Sequence, residues 1–418
     1  MQNNSVTLKV FAIAIIGGVY FIASLSVLAL VAERQDTGKE ASEEIAQIWS
    51  GRQTLVGPML INRSVVAGLP REDYVLPHSL RYETVLVPEV RSRGIFKTVV
   101  YKSVVKVEGE FRQADVAPIF GGKQSALLSV GISDTRGIER EFNLNWNKAT
   151  LAFEPGAGVD LRGMSGLHAM VPLRYTETIP FSFEVELKGS EGISVAPLGR
   201  ETTIVIASSW PTPKFVGTFL PSSHEITGDG FNGEWRVSSF GRSYPQSFTK
   251  DDVGFDIVIL SAAGVDLHQA IDTYDMVFRS VKYAILFIVI TFAVFFLFDV
   301  LGGIRVHPIQ YLLVGAALAL FYLLLLSFAE QIGFPSAYLL STFMIVFLVL
   351  SYSYSVLKSG RRAVLIGSLV GALYGYLYFV LQLEDYALLA GSLVLFLLLA
   401  GAMYATRNID WFSLEKKG

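Results

Sequence analysis

Hydrophobic positions fall into two regimes along the chain. Residues 10–32 run 23 positions without a charge, and from residue 283 to 406 the chain is again almost continuously apolar, broken only by short polar knots. A bilayer core of about 30 Å needs roughly 20 helical residues to cross. Segments 309–329, 363–383 and 386–406 supply 21 each, and 332–357 supplies 26. Segment 283–298 has only 16, but Lys282 can snorkel and Val300 and Leu301 extend the run. The pattern predicts six spans, the first an uncleaved anchor, because its apolar core is too long for a signal peptide and Leu30 and Ala32 make a poor cleavage pair.

Between these regimes the period changes. From residue 57 to 260, short alternating runs are separated by Gly, Pro, Asn and Asp, as in 178–187 (TIPFSFEVEL), 98–107, 202–206 and 234–240. Gly121-Gly122, Pro155-Gly156, 228–230 (GDG) and Asn232-Gly233 supply turn chemistry. Many strands at short spacing with no βαβ series predict a sandwich. At its edges, 40–49 reads as a helix after a break at Gly38. Asp266 with Gln269 reads as the cap of a second helix continued by Leu267, Ile271, Tyr274 and Phe278.

These elements define an α+β membrane protein: six transmembrane α-helices, one N-terminal and five C-terminal, with a large periplasmic all-β sandwich-like domain inserted between the first and second. The expected divisions are an anchor (1–32), a membrane-proximal helix and linker (33–56), the β-rich domain (57–262), a helical stalk (263–282), a five-helix bundle (283–406) and a cytoplasmic tail (407–418). Charge sets the orientation, since Lys and Arg near span ends stay cytoplasmic. One set of short pieces carries Lys9, Arg305, Lys358, Arg361, Arg362, Arg407, Lys416 and Lys417; the opposite loops carry Glu330, Glu384 and Asp385 and no base. Both termini are therefore expected in the cytoplasm and the β-domain outside, with Arg279 and Lys282 opposing the bias.

Composition narrows the chemistry. A formal net charge of −3 with no basic cluster argues against nucleic-acid binding. The absence of cysteine removes disulfide and thiolate chemistry. The five histidines (78, 168, 224, 268 and 307) lack zinc spacing, and there is no GxSxG elbow, P-loop or dinucleotide pattern. No catalytic, cofactor or metal residues are expected, and the protein is read as a non-enzyme without a cofactor.

Residues 208–221 (SSWPTPKFVGTFLP) are more informative. Three prolines forbid a regular central strand, while Trp210, Phe215, Phe219 and Leu220 demand burial. The segment reads as a loop plugging the sandwich or as a partner-binding loop carried by Trp210, Phe215 and Phe219. In the membrane, Gly367, Gly371 and Gly375 form a smooth helical face for helix packing. Tyr374, Tyr376, Tyr378 and 351–355 (SYSYS) offer hydroxyls for a polar path or for local hydrogen bonds. Glu330, Glu384 and Asp385 fall at span ends, so no ionisable residue marks a midplane transport site.

The chain resembles, from end to end, the CreD family of inner-membrane proteins of Gram-negative bacteria. The resemblance is carried by Gly57-Pro58 after Trp49, 133–138 (SDTRGI), 153–156 (FEPG), 209–221 and 240–246 (FGRSYPQ). In the membrane part it is carried by 282–287 (KYAILF), 307–315 (HPIQYLLVG), 321–326 (FYLLLL), 384–389 (EDYALL) and 406–411 (TRNIDW). The resemblance implies an inner-membrane protein of cell-envelope integrity, tied to a two-component regulon and to stress response. The expected activity is binding of an envelope protein, lipid or cell-wall ligand by the β-domain, with membrane lipid around the helices; the alternative is a small-molecule or lipid transporter gated by that domain.

Overall fold

The computed structural model describes the chain except for residues 1–5, 174–177, 268–272, 303–305, 384–386 and 408–418. It divides into two compact units, residues 38–270 and residues 1–37 together with 271–418. Helix α1 (Val6–Trp49) contributes to both and runs without interruption for 44 residues. At 1.5 Å per residue that is about 66 Å, twice what a bilayer core requires. The expected break at Gly38 does not occur: glycine costs a helix roughly 1 kcal/mol relative to alanine, too little to end one that continues on both sides. Near its end Ile48 is 83% exposed.

The β unit begins with β1 (Gln53–Val66), β2 (Leu69–Val75), β3 (Ser79–Arg93) and β4 (Phe96–Arg112), then α2 (Gln113–Phe120). It continues through β5 (Ser125–Ile132), β6 (Asn143–Trp146), β7 (Ala149–Ala152), β8 (Glu154–Pro155), β9 (Ser165–Pro172) and β10 (Thr178–Ser190). The last part holds β11 (Gly192–Val195), β12 (Glu201–Ser208), β13 (Pro213–Gly217), β14 (Ser223–Thr227), β15 (Gly230–Ser238), β16 (Ser247–Thr249), α3 (Phe255–Leu260) and β17 (Ala263–Leu267). One sheet runs β13-β17-β11-β1-β5-β9-β8 with β2 and β16 attached; the other runs β14-β15-β12-β3-β4-β10-β6-β7. Pairing is antiparallel apart from β1 with β11 and β12 with β3.

Both sheets feed one apolar core. Leu60, Leu128, Ile193 and Val265 come from the first, and Tyr82, Val105, Phe183, Ile204 and Trp235 from the second. The alternation read in β10 places Ile179, Phe181, Phe183, Val185 and Leu187 all inside, as the two-residue period of a half-buried strand requires. β1 is buried on both faces over much of its length, and α3 packs against it.

One expectation is corrected here. Asp266 and Leu267 are not the start of a helix: they end β17, whose backbone is taken by β11 on one side and β13 on the other. Gln269 and Ile271 lie outside the described residues, and the next described helix, α4, spans Thr273–Lys282.

The second unit continues with α5 (Ala284–Gly302), α6 (Pro308–Ile332), α7 (Phe334–Leu357), α8 (Gly360–Gln382) and α9 (Ala387–Thr406). Among the described residues, five helical stretches are long and apolar enough to cross a membrane: 9–49, 273–298, 308–332, 334–357 and 360–382. The 20-residue α9 is a further apolar helix. Local chemistry sets the ends. His307 caps α6, its Nδ1 accepting from the Ile309 N–H while Gln310 Oε1 accepts from the His307 N–H, a capping box closed by Pro308 at the first helical position. Gly333, at φ +78°, separates α6 from α7, where Pro335 lies in the first turn.

Candidate partner-binding surface

The proline-rich segment 208–221 becomes an edge strand. β13 starts on Pro213 and pairs only with β17, which is the placement that a residue lacking an N–H tolerates. At its end Gly217 has φ +103°, and a Cβ there would lie 2.1 Å from the Ala262 carbonyl, so only glycine lets the strand close. Phe215 reaches across to the other sheet, its ring 5.6 Å from Trp235, 6.1 Å from Phe231 and 5.2 Å from His224. Trp235 Nε1 donates to the Phe219 carbonyl at 3.0 Å. Trp210, Phe215 and Phe219 are thus half-buried against the core.

The water-facing groups lie beside these three. Leu220 is 76% exposed, Leu260 75% and Phe240 98%. They come from three separate segments that touch one another. Thr218 donates through its N–H to the Ala262 carbonyl (3.2 Å) and through Oγ1 to the Leu260 carbonyl (2.7 Å). Gly241 lies against the Phe219 ring, a Cβ there standing 3.5 Å from Cε1.

The turn carrying Phe240 is braced from within. Arg242 is buried and donates to the Leu198 carbonyl and, at 2.6 Å, to Gln246 Oε1, with its guanidinium 5.0 Å from the centre of the Tyr244 ring. Burial holds its pKa below the ordinary arginine value. Gln246 Nε2 donates to the Leu76 and Pro77 carbonyls, and Tyr244 Oη shares a 3.0 Å hydrogen bond with Ser261 Oγ. Phe240 thus stands exposed on a braced turn. Sequence reading missed Phe240 and Leu260; the available signal was a phenylalanine flanked by Ser239 and Gly241, where a turn leaves it no core to enter.

At the β unit's entry point, polar groups converge on the end of α1. Asp134 accepts from the N–H groups of Gly51 (3.2 Å) and Arg136 (3.1 Å) and from the Arg136 guanidinium (2.7 and 2.9 Å). These bonds, the guanidinium first among them, hold its carboxyl well below the usual range. Arg52 pairs with Asp266 and donates to Ser194 Oγ at 3.0 Å, tying the entering chain to β17. Trp49 lies under Arg91 and Lys188, at 4.8 and 5.1 Å.

The remaining residues singled out from sequence are dispersed. Glu330 accepts from Tyr274 Oη at 3.1 Å and lies 3.9 Å from Arg34, so its partners are in its own unit. Glu384 and Asp385 lie outside the described residues. A Cβ on Gly367 would lie 2.8 Å from Leu350 Cδ1, one on Gly371 3.9 Å from Val346, and one on Gly375 would meet nothing within 4 Å. The small-residue face therefore approaches α7 closely at Gly367 and not at Gly375. His78 faces Asp115 (3.9 Å), His168 Nδ1 bonds the Gly156 carbonyl (2.7 Å), the His224 ring lies tilted against Phe215 and His307 caps a helix. Among the described residues, no three His, Asp or Glu side chains gather as a metal site.

Apolar helices of membrane-crossing length joined to a two-sheet β-domain define a multi-helix membrane protein with a large extramembranous domain. The chain belongs to the CreD family: the family described as inner membrane protein CreD matches residues 5–412. It is also 34% identical over 409 residues to the inner membrane protein CreD of Escherichia coli (strain K12), covering 93% of this chain and 90% of that protein.

Proposed function

We propose that this is an envelope-integrity protein of the inner membrane that works by binding, not by bond making. Six helices anchor it, both termini are cytoplasmic, and the β-domain faces the periplasm and engages an envelope protein, lipid or cell-wall component. The observation that carries the reading is the exposure of three large apolar side chains, Leu220, Phe240 and Leu260, on segments that meet through Thr218 with Leu260 and Ala262 and through Phe219 with Gly241. The distribution of Lys and Arg among short loops supports the orientation.

The test is photo-crosslinking in cells from a photoreactive residue at position 240, with position 215 as the half-buried reference. A reproducible adduct from 240, absent from 215 and lost in a Leu220→Ser/Leu260→Ser variant of unchanged melting temperature, is expected. Equal labelling from both positions, or an adduct indifferent to the two serines, would return this surface to ordinary solvent contact. Transport is the weaker reading, because aromatic rings meet between the helices: Tyr374 lies between Phe287 and Phe321, at 5.1 and 4.1 Å.

A further inference from the structure

Tyr322 on α6, Ser341 on α7 and Tyr374 on α8 are all fully buried, and among the described residues none of their hydroxyls has a hydrogen-bond partner. The two tyrosines belong to one neighbourhood. The ring of Phe321 is 5.0 Å from that of Tyr322, 5.4 Å from Tyr338 and 4.1 Å from Tyr374, so three tyrosines surround one phenylalanine. Tyr338 Oη donates to the Tyr374 carbonyl at 2.7 Å, which fixes α7 against α8. Ser341 follows Tyr338 by one turn on the same helix.

Leaving a buried hydroxyl unpaired is costly, more so among helices with lipid around them, where no bulk water competes. Phenylalanine would fill the same space without that cost, and the fold uses it in the same cluster at Phe287, Phe321 and Phe334. Tyrosine at 322 and 374 therefore has a use that packing alone does not supply. The groups are hydroxyls only, and no charged side chain is hydrogen-bonded to any of them. Their partner must be neutral, small, and able both to donate and to accept.

We propose that Tyr322, Ser341 and Tyr374 form a polar site between α6, α7 and α8 that holds ordered water, bridging the three helices where direct side-chain hydrogen bonds do not. Water with two to four such partners is an integral part of a folded interior. The proposal is independent of what the β-domain binds.

The test uses the full-length protein in lipid nanodiscs. Tyr322→Phe and Tyr374→Phe should each lower the melting temperature, and the double variant should lose less than the sum, since the first substitution already disrupts the shared water. Unchanged or raised melting temperatures with additive shifts would mean a dry site and overturn the proposal. Radiolytic hydroxyl-radical labelling of the unmodified protein gives an independent reading. Rapid oxidation at Tyr322 or Tyr374 despite burial is expected, because radicals then form from water in contact with the ring. Labelling no faster than at the equally buried Phe295 would also overturn it.

Discussion

Three glycines in the helices show how much a single Cβ position decides. The stripe of Gly367, Gly371 and Gly375 was legible as spacing, but spacing does not say where the neighbouring helix crosses, and the approach is close at 367 alone. The tightest glycine in the described spans is Gly315 on α6, where a Cβ would lie 2.3 Å from Tyr20 Cε2 and 2.9 Å from Phe292 Cζ. Nothing in its sequence context (LLVGAALA) sets it apart. Alanine at 315 must displace an aromatic ring, alanine at 367 a flexible leucine end, and alanine at 375 nothing. Against the helix-propensity gain of roughly 1 kcal/mol, over-packing of about 1–3 kcal/mol predicts melting temperatures in the order Gly375→Ala, Gly367→Ala, Gly315→Ala, highest first. Equal shifts in thermal unfolding would contradict these helix contacts. Asp134 carries a separate expectation. Its folded pKa lies below its unfolded value near 3.9, so the stability it contributes is present above that pH and is lost as pH falls. The gap in melting temperature between the protein and Asp134→Asn should be constant from about pH 5 to 8 and shrink below about pH 4. A gap that persists to low pH would assign the loss to packing.

Alternation made the strands readable, and competition for backbone partners made one of them unreadable. In β10 every second residue enters the core, and sequence alone supplies that pattern. In β17 the local signals favoured a helix: an Asp with a Gln three residues on, then apolar residues at helical spacing. Two flanking strands claim its backbone instead, and Gly264 is what allows them to, since a Cβ there would lie 2.0 Å from the Ile193 carbonyl. Pairing with β11 and β13 is non-local, and tertiary context overrides local propensity. α1 shows the converse. Gly38 looked like a stop, yet the helix passes through it. Gly38→Ala should therefore hold or raise the melting temperature by the equivalent of at most about 1 kcal/mol. A clear loss would reveal a left-handed break at that position.

At the scale of the molecule, orientation is the property on which the periplasmic reading rests, and the charges that oppose it have local partners. Arg279 donates to the Leu383 carbonyl at the end of α8 (3.3 Å), and Lys282 lies over the Phe278 ring (4.5 Å). A cation bound to a helix C-terminus or to an aromatic face is favourably placed where it stands, so these two need not obey the loop bias. The parity of the bundle depends on α9. If α9 crosses, six spans return the C-terminus to the side of the N-terminus; if it lies along the surface, the tail is on the side of the β-domain. The chain has no cysteine, so single cysteines at Ser222, Ser359 and Ser413 report without background. With the outer membrane permeabilised, an impermeant maleimide should label Ser222→Cys in intact cells, and should label Ser359→Cys and Ser413→Cys only after lysis. Labelling at 413 but not 359 in intact cells would remove α9 from the spans while leaving the β-domain outside. Labelling at 359 but not 222 would invert the molecule and end the periplasmic reading.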